Sequence, residues 1–352
     1  MAKLHQILSF AVKQKASDIA LMAGSPPFLR LHGEFTPLQM PALGQNAVKH
    51  LLAELLTKEQ SEKLQTETNI DLAYSIPDVA RFRINCFMHR QGFGIVARII
   101  PLQVPALENL GLPESIVNLL DIPNGIIFVT GPSGSGKTTT QSAIISKIAT
   151  LRKDHILTIE DPIEFEIKSQ SSLVNQRELI THTESYKNAL KAALREDPDI
   201  ILIGEMRDRE TIGLAMTAAE TGHLVVGTMN TMNATATINR VVDSFPGDQK
   251  GQIRLMLSGS LRSIISQKLI PGQSGTRVLA TELLINTSNI ANLIRDGRTF
   301  MIKNAMLTGK SKGMVTMDES LFRLVKEGKT SPQAAIEACE NPTELKNKLG
   351  IK

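Results

Sequence analysis

Apolar positions change their spacing twice along the chain. Leu4, Ile7, Leu8 and Ala11 recur at helical intervals, which predicts an opening amphipathic helix. Strand-like pieces follow. Phe28-Leu-Arg-Leu-His32 is bounded by Ser25-Pro-Pro27 and Gly33. A second helix is expected from Asn46 to about Leu56. Asp71–Ile76 and Ala80–Phe87 alternate apolar with polar residues, and Ile95–Ile100 reads as another strand. Residues 1–100 therefore read as an α+β module with a mostly antiparallel sheet.

Four prolines, at 101, 105, 113 and 123, then interrupt any regular pattern, and a linker is expected over 101–113. Beyond it the alternation disappears. Gly125-Ile-Ile-Phe-Val-Thr130, Ile156-Leu-Thr-Ile159, Ile200-Ile-Leu-Ile203 and Leu224-Val-Val226 are apolar runs of strand length separated by helical stretches. Such runs suit strands buried on both faces, so residues 114–285 read as an α/β domain with a mostly parallel sheet. Residues 286–352 read as its helical C-terminal part, with helices over 289–296, 300–307, 317–327 and 332–340.

Composition narrows the chemistry. A chain of 352 residues has room for two or three domains. Its two cysteines, Cys86 and Cys339, exclude a disulfide framework and a four-cysteine zinc site, which points to a reducing, cytoplasmic compartment. No apolar run approaches the length of a membrane span, and the N-terminus carries no signal-peptide pattern. A net charge of +4 is too small to argue for nucleic acid, and the absence of Trp leaves little to stack bases on.

The strongest motif is Gly131-Pro132-Ser133-Gly134-Ser135-Gly136-Lys137-Thr138, followed by Thr139. It follows a buried strand and opens a helix, as a phosphate-binding P-loop must. The glycines allow backbone N–H groups to turn toward phosphate oxygens, and the helix N-terminus adds a favourable dipole. Lys137 is expected at the β- and γ-phosphates and Thr138 on Mg²⁺, which makes ATP and Mg²⁺ the expected ligands. The run Asp199–Ile203 ends in Gly204-Glu205, where many such sites carry an aspartate, so Glu205 is the candidate to polarise water. Glu160 and Asp161 end the neighbouring run, for metal positioning through water or for sharing base duty with Glu205. Asn230 follows the fourth run, where a group would sense the γ-phosphate.

Further stretches join these motifs: Lys15-Ala-Ser-Asp18, Ala80–Asn85, His155–Phe165, Ala193–Glu205, Thr217–His223 and Met317–Leu321. Together they resemble the secretion ATPases that drive type IV pili, and within them the PilT/PilU retraction group. The resemblance implies a PAS-like N-terminal domain joined to a RecA-like ATPase domain, assembled as a homohexamer. It implies ATP hydrolysis that powers pilus retraction and twitching motility against an inner-membrane platform protein, from the cytoplasmic face. It also implies that Arg81, Arg83 and Arg98 reach the phosphates when the ring closes, and that His223 and position 230 belong to the phosphate-sensing region. The chain departs from the group at Asn230, where the family has histidine, at Ala291, where its retraction-linked helix has arginine, and at Ala20. Asn341–Lys346 and Glu282–Thr287 are closer to PilU, the accessory member. The alternative is therefore a weakly hydrolysing accessory subunit that acts with a PilT-type paralog.

Overall fold

The computed structural model describes residues 3–31, 33–77, 79–100 and 103–351. They form two compact units, Met1–Gln103 with Glu164–Glu166, and Val104–Ile163 with Ile167–Lys352.

The first unit runs α1 (Lys3–Lys13), β1 (Asp18–Met22), β2 (Phe28–Leu31), β3 (Glu34–Pro37), α2 (Gln45–Leu55), α3 (Lys58–Glu67), β4 (Asn69–Ile76), β5 (Ala80–His89) and β6 (Gly92–Ile100). The sheet is antiparallel, in the order β3-β2-β1-β6-β5-β4. Its inner residues Ile19, Leu21, Phe82, Ile84, Cys86, Ile95 and Ala97 share a core with Leu4, Leu8, Val48 and Leu51 of the helices. The apolar spacing does not announce α3, because Leu64 is the helix's one buried residue. A capping box holds α3 instead: Thr57 Oγ1 accepts from the Gln60 amide and Gln60 Oε1 accepts from the Thr57 amide.

Arg81 and Arg83 point away from that core, as their alternation with Phe82 and Ile84 requires. Arg83 stands directly across from Arg98, which pairs across β1 with Asp18, which faces Arg30. Asp18 is 6% exposed; its Oδ1 accepts from Arg98 Nε at 3.0 Å and its Oδ2 lies 3.4 Å from Arg30 Nε. This carboxylate offsets the repulsion between cations on adjacent strands.

The second unit begins earlier than the prolines suggest. Pro101 and Leu102 lie outside the described residues, but Leu107, Ile116, Leu119 and Leu120 are buried in the core of the second unit. Within the expected linker Leu107 is buried and Val104, Leu110 and Leu112 pack against the same core, because proline ends helices and strands without preventing burial. The sheet strands are β7 (Gly125–Thr130), β8 (His155–Glu160), β9 (Leu173–Glu178), β10 (Ile200–Ile203), β11 (Leu224–Met229), β12 (Leu261–Pro271) and β13 (Arg277–Ile285). They are ordered β13-β12-β7-β11-β10-β8-β9, and every neighbouring pair except β12–β13 is parallel. The helices are α4 (Lys137–Leu151), α5 (Tyr186–Ala193), α6 (Arg209–Glu220), α7 (Ala234–Asp243), α8 (Lys250–Ser260), α9 (Ser288–Arg295), α10 (Ile302–Thr308), α11 (Met317–Lys326), α12 (Pro332–Ala338) and α13 (Pro342–Leu349).

Both faces of this sheet are covered, which is why its strands lack alternation. Ile126 and Phe128 pack with α5 to α10, whereas Ile127 and Val129 pack with α4 and the stretch around Ile116. The fold is α/β, as expected from the sequence. The three strands that the apolar runs do not reveal are β9, which is largely polar, and the pair β12–β13, whose buried Ser263, Ser266, Gln267 and Thr281 break the runs.

The last helices are fastened to the sheet by a polar knot. Glu282 on β13 is 4% exposed and accepts the Ala234 amide at 2.8 Å, at the start of α7. Asn233 caps α7 and also donates to Glu340 Oε1 at 2.8 Å, while Lys303 donates to Glu340 Oε2 at 2.7 Å. Asp318 accepts the Glu340 amide at 2.7 Å. Burial pushes Glu282 up to about 7, against the pull of the Ala234 amide and reinforced by Glu340. A carboxyl raised on folding stabilises most below its unfolded value near 4.5, and that contribution is lost as pH rises through about 7. Glu282→Gln is thus expected to flatten this dependence and to exceed the wild type at pH 8 by no more than about 3 kcal/mol. Urea unfolding at pH 5 and pH 8 checks it; parallel curves for the two proteins would refute the burial argument.

Candidate functional site

The carboxyl ends of β7, β8, β10 and β11 lie side by side, because Ile159 pairs with Ile203, Ile203 with Gly227 and Met229 with Thr130. The Gly131–Lys137 loop, Glu160-Asp161, Gly204-Glu205 and Asn230 therefore emerge at one edge. That edge is where open α/β sheets bind ligands.

The loop takes left-handed backbone at Gly134 (φ 77°) and Gly136 (φ 89°). Gly131, at φ 144°, has no room for a side chain: a Cβ there would lie 2.4 Å from the Gln267 carbonyl oxygen and 2.6 Å from Ser135 Oγ. Lys137 Nζ folds over the loop and donates to the Gly131 and Pro132 carbonyls at 2.9 and 3.0 Å. Gln267 Nε2 donates to Thr140 Oγ1 at 2.7 Å, and Gln141 Nε2 donates to the Ile203 and Val226 carbonyls, both at 2.9 Å. These bonds pin α4 to the sheet beneath the loop. The N-terminus of α4 has no side-chain cap and no acidic residue in its first turn. Its free amides and dipole favour an anion. Ser135 Oγ is buried without a hydrogen-bond partner in the protein. These features fit a phosphate group, with Thr138 and Thr139 half-buried in the same helical turn.

Glu160 is 3% exposed, and its Oε1 accepts from Thr158 Oγ1 at 2.6 Å and from Gln176 Nε2 at 3.0 Å. Gln176 is itself held by the Ile167 amide, which donates to its Oε1 at 2.7 Å. Asp161 follows at an exposed position, joined to Pro162 by a cis peptide bond. Glu205 Oε1 accepts from Asn230 Nδ2 and its Oε2 from Arg207 Nη2, each at 2.6 Å. The bond to Glu205 raises Arg207 above the ordinary arginine range. Arg207 is 77% exposed, so the pair is worth no more than about 1 kcal/mol and opens at little cost. Thr228 Oγ1 donates to the Gly204 carbonyl, fixing the backbone that aims Glu205.

The structure explains the missing strand-end aspartate. A Cβ on Gly204 would lie 3.0 Å from the Tyr186 hydroxyl and 3.2 Å from Glu160 Cα. Glycine suits this close approach of a neighbouring strand and helix, where a larger residue would make them give by a few tenths of an ångström. Tyr186, Arg207 and Gln176 were not legible as site residues, since each lies outside the glycine-rich and acidic signatures.

One expected member is elsewhere. His223 precedes β11, and its carbonyl accepts the Gly125 amide at 3.0 Å, where β7 begins. Six residues of strand, about 20 Å, separate it from Asn230. Its ring is engaged there by the Ala218 carbonyl at 2.9 Å. His223 is thus at the opposite edge of the sheet from the phosphate loop of its own chain, because β11 runs parallel to β7. Arg81, Arg83 and Arg98 belong to the first unit. Arg98 is held by Asp18, and Arg83 makes no ion pair among the described residues. Groups of three or more metal-ligating side chains are absent among the described residues.

Comparison with known proteins agrees with this geometry. The family model for type II/IV secretion system proteins matches residues 2–341. The chain is 46% identical over 339 residues to the type IV pilus retraction ATPase PilT of Pseudomonas aeruginosa, covering 96% of this chain and 98% of that protein. It is 33% identical over 345 residues to the type IV pilus ATPase PilU of the same organism, covering 98% and 90%. Over the whole chain the likeness is thus greater to PilT, although two local stretches read like PilU. The crystal structure of the pilus retraction motor PilT with bound ADP matches with a TM-score of 0.92 at 42% identity, covering 99% of each chain. The chain belongs to the type II/IV secretion system protein family, and within it to the PilT/PilU group.

Proposed function

We propose that this chain is an ATP hydrolase which, as a cytoplasmic homohexamer at the inner membrane, powers type IV pilus retraction and twitching motility. The observation that carries this reading is the shared strand edge, where a fitted phosphate loop faces two carboxylates from adjacent strands, Glu160 and Glu205. The pilus role rests on 46% identity to PilT along nearly the full length of both chains.

In this reading the amides of Gly131–Thr139 and Lys137 Nζ hold the β- and γ-phosphate oxygens. Lys137 exchanges its present bonds to the Gly131 and Pro132 carbonyls for phosphate oxygens. Thr138 would hold Mg²⁺, with Glu160 and Asp161 helping to position it through water, and the ion would offset charge on the phosphates. Glu205 accepts the proton of the water that attacks the γ-phosphorus, and the bridging oxygen leaves on ADP. Asn230 orients Glu205 but, being an amide, takes up no proton. Arg83, Arg98 and Arg81 supply cations to the phosphates when the units close. Closure is passed to an inner-membrane platform protein.

A second reading has its own observation. Both oxygens of Glu205 are engaged, one by Asn230 and one by Arg207, which suits slow turnover in an accessory subunit beside a PilT-type paralog. Steady-state ATPase with mass by light scattering separates the two. Turnover by a hexamer of this chain alone, at about 0.1 s⁻¹ or faster, supports the motor; that is slow against ordinary enzymes. Nucleotide binding without turnover, rescued in mixed hexamers, supports the accessory role.

A further inference from the structure

Tyr186 opens α5, and its ring packs against the core beneath the sheet. Its hydroxyl stands over the end of β10, where a side chain at position 204 would begin, 3.0 Å from an ideal Cβ. The hydroxyl makes no hydrogen bond to a protein group among the described residues, yet Asp161, Glu205 and Glu160 all act on it electrostatically. Burial first, then those three carboxylates, hold the phenol above the ordinary tyrosine range. It is therefore an O–H donor with no protein acceptor among the described residues, placed at the spot left open by the glycine that precedes Glu205.

We propose that Tyr186 is a water-orienting residue of the hydrolytic site, its hydroxyl donating to the water that Glu205 deprotonates. A water that attacks phosphorus uses one lone pair for the new P–O bond. Its other lone pair is free to accept from Tyr186, while one hydrogen goes to Glu205 and the second stays on the oxygen that becomes part of inorganic phosphate. Tyr186 keeps its own proton throughout. A phenol serves here where little space is left for a strand-end aspartate, and donation, unlike a carboxylate, adds no negative charge to a site already holding three acids.

The proposal rests on the ATP hydrolysis argued above, so Lys137→Ala is measured beside Tyr186→Phe. The phenylalanine keeps the ring and its packing and removes only the donor. The expected result is a fall in kcat of about 3- to 20-fold, with KM for ATP and the Kd of a non-hydrolysable ATP analogue within about twofold. The melting temperature should stay within about 2 °C, because one hydroxyl without a protein partner is lost. Turnover that Lys137→Ala abolishes and Tyr186→Phe leaves at full rate overturns the role of Tyr186 alone. A matched loss of kcat and analogue affinity makes Tyr186 a structural residue and overturns it as well. Turnover that Lys137→Ala does not lower overturns this proposal together with the site assignment.

Discussion

Glu205→Gln should lower kcat for ATP by about 100- to 1,000-fold while leaving nucleotide affinity within about threefold. The amide is nearly isosteric and still accepts one hydrogen bond, so the contact from Asn230 has a partner. What disappears is the proton acceptor and the negative charge that pairs with Arg207. Arg207 is 77% exposed, so loss of the pair costs little stability. The prediction therefore separates chemistry from folding: single-turnover hydrolysis should collapse while a fluorescent nucleotide still binds. If single-turnover rates were equal in the two proteins, the base would have to be Glu160 or Asp161, and Glu160→Gln would become the decisive variant.

Removal of the Lys137 ammonium should act on the other half of the cycle. Lys137→Ala is expected to weaken ATP binding by about 30- to 100-fold, or roughly 2–3 kcal/mol. The cation that faces the phosphates is lost, and this outweighs the small gain from no longer having to break the bonds that tie Nζ to the Gly131 and Pro132 carbonyls. Lys137→Arg tests the geometry rather than the charge, because a planar fork is a poor substitute for a compact ammonium between two carbonyls. Titration with a fluorescent ATP analogue, at fixed salt, reads both. An alanine variant that bound ATP as tightly as the wild type would move the phosphate site away from this loop.

The parts of the fold that were legible are those where one physical cause acts alone. Buried parallel strands such as β7 and β11 read as unbroken apolar runs because helices cover both faces. The P-loop was legible because a backbone that turns its amides inward demands glycine at fixed intervals. The strands β12 and β13 were hidden because buried polar residues interrupt them, some held by particular partners: Ser263 Oγ donates to the Leu284 carbonyl and Gln267 Nε2 to Thr140. No spacing rule encodes such pairings. The helix α3 was hidden because its cap, rather than its packing, holds it. In the site, Gly204 looked like a missing acid and sits where Tyr186 and β8 leave little space for a side chain. His223 came from the resemblance, which does not say which end of the strand it occupies; its carbonyl pairs with Gly125 where β7 begins, away from Asn230.

The knot around Glu340 gives the end of the chain a mechanical meaning. Asn230 holds Glu205, and Asn233, three residues later, holds Glu340. Those three residues span no more than about 10 Å and leave little slack. Glu205 and the terminal helices are thus two ends of one short strut, with the start of α7 as its fulcrum. A reporter placed on α13 would test whether that strut moves when a nucleotide binds.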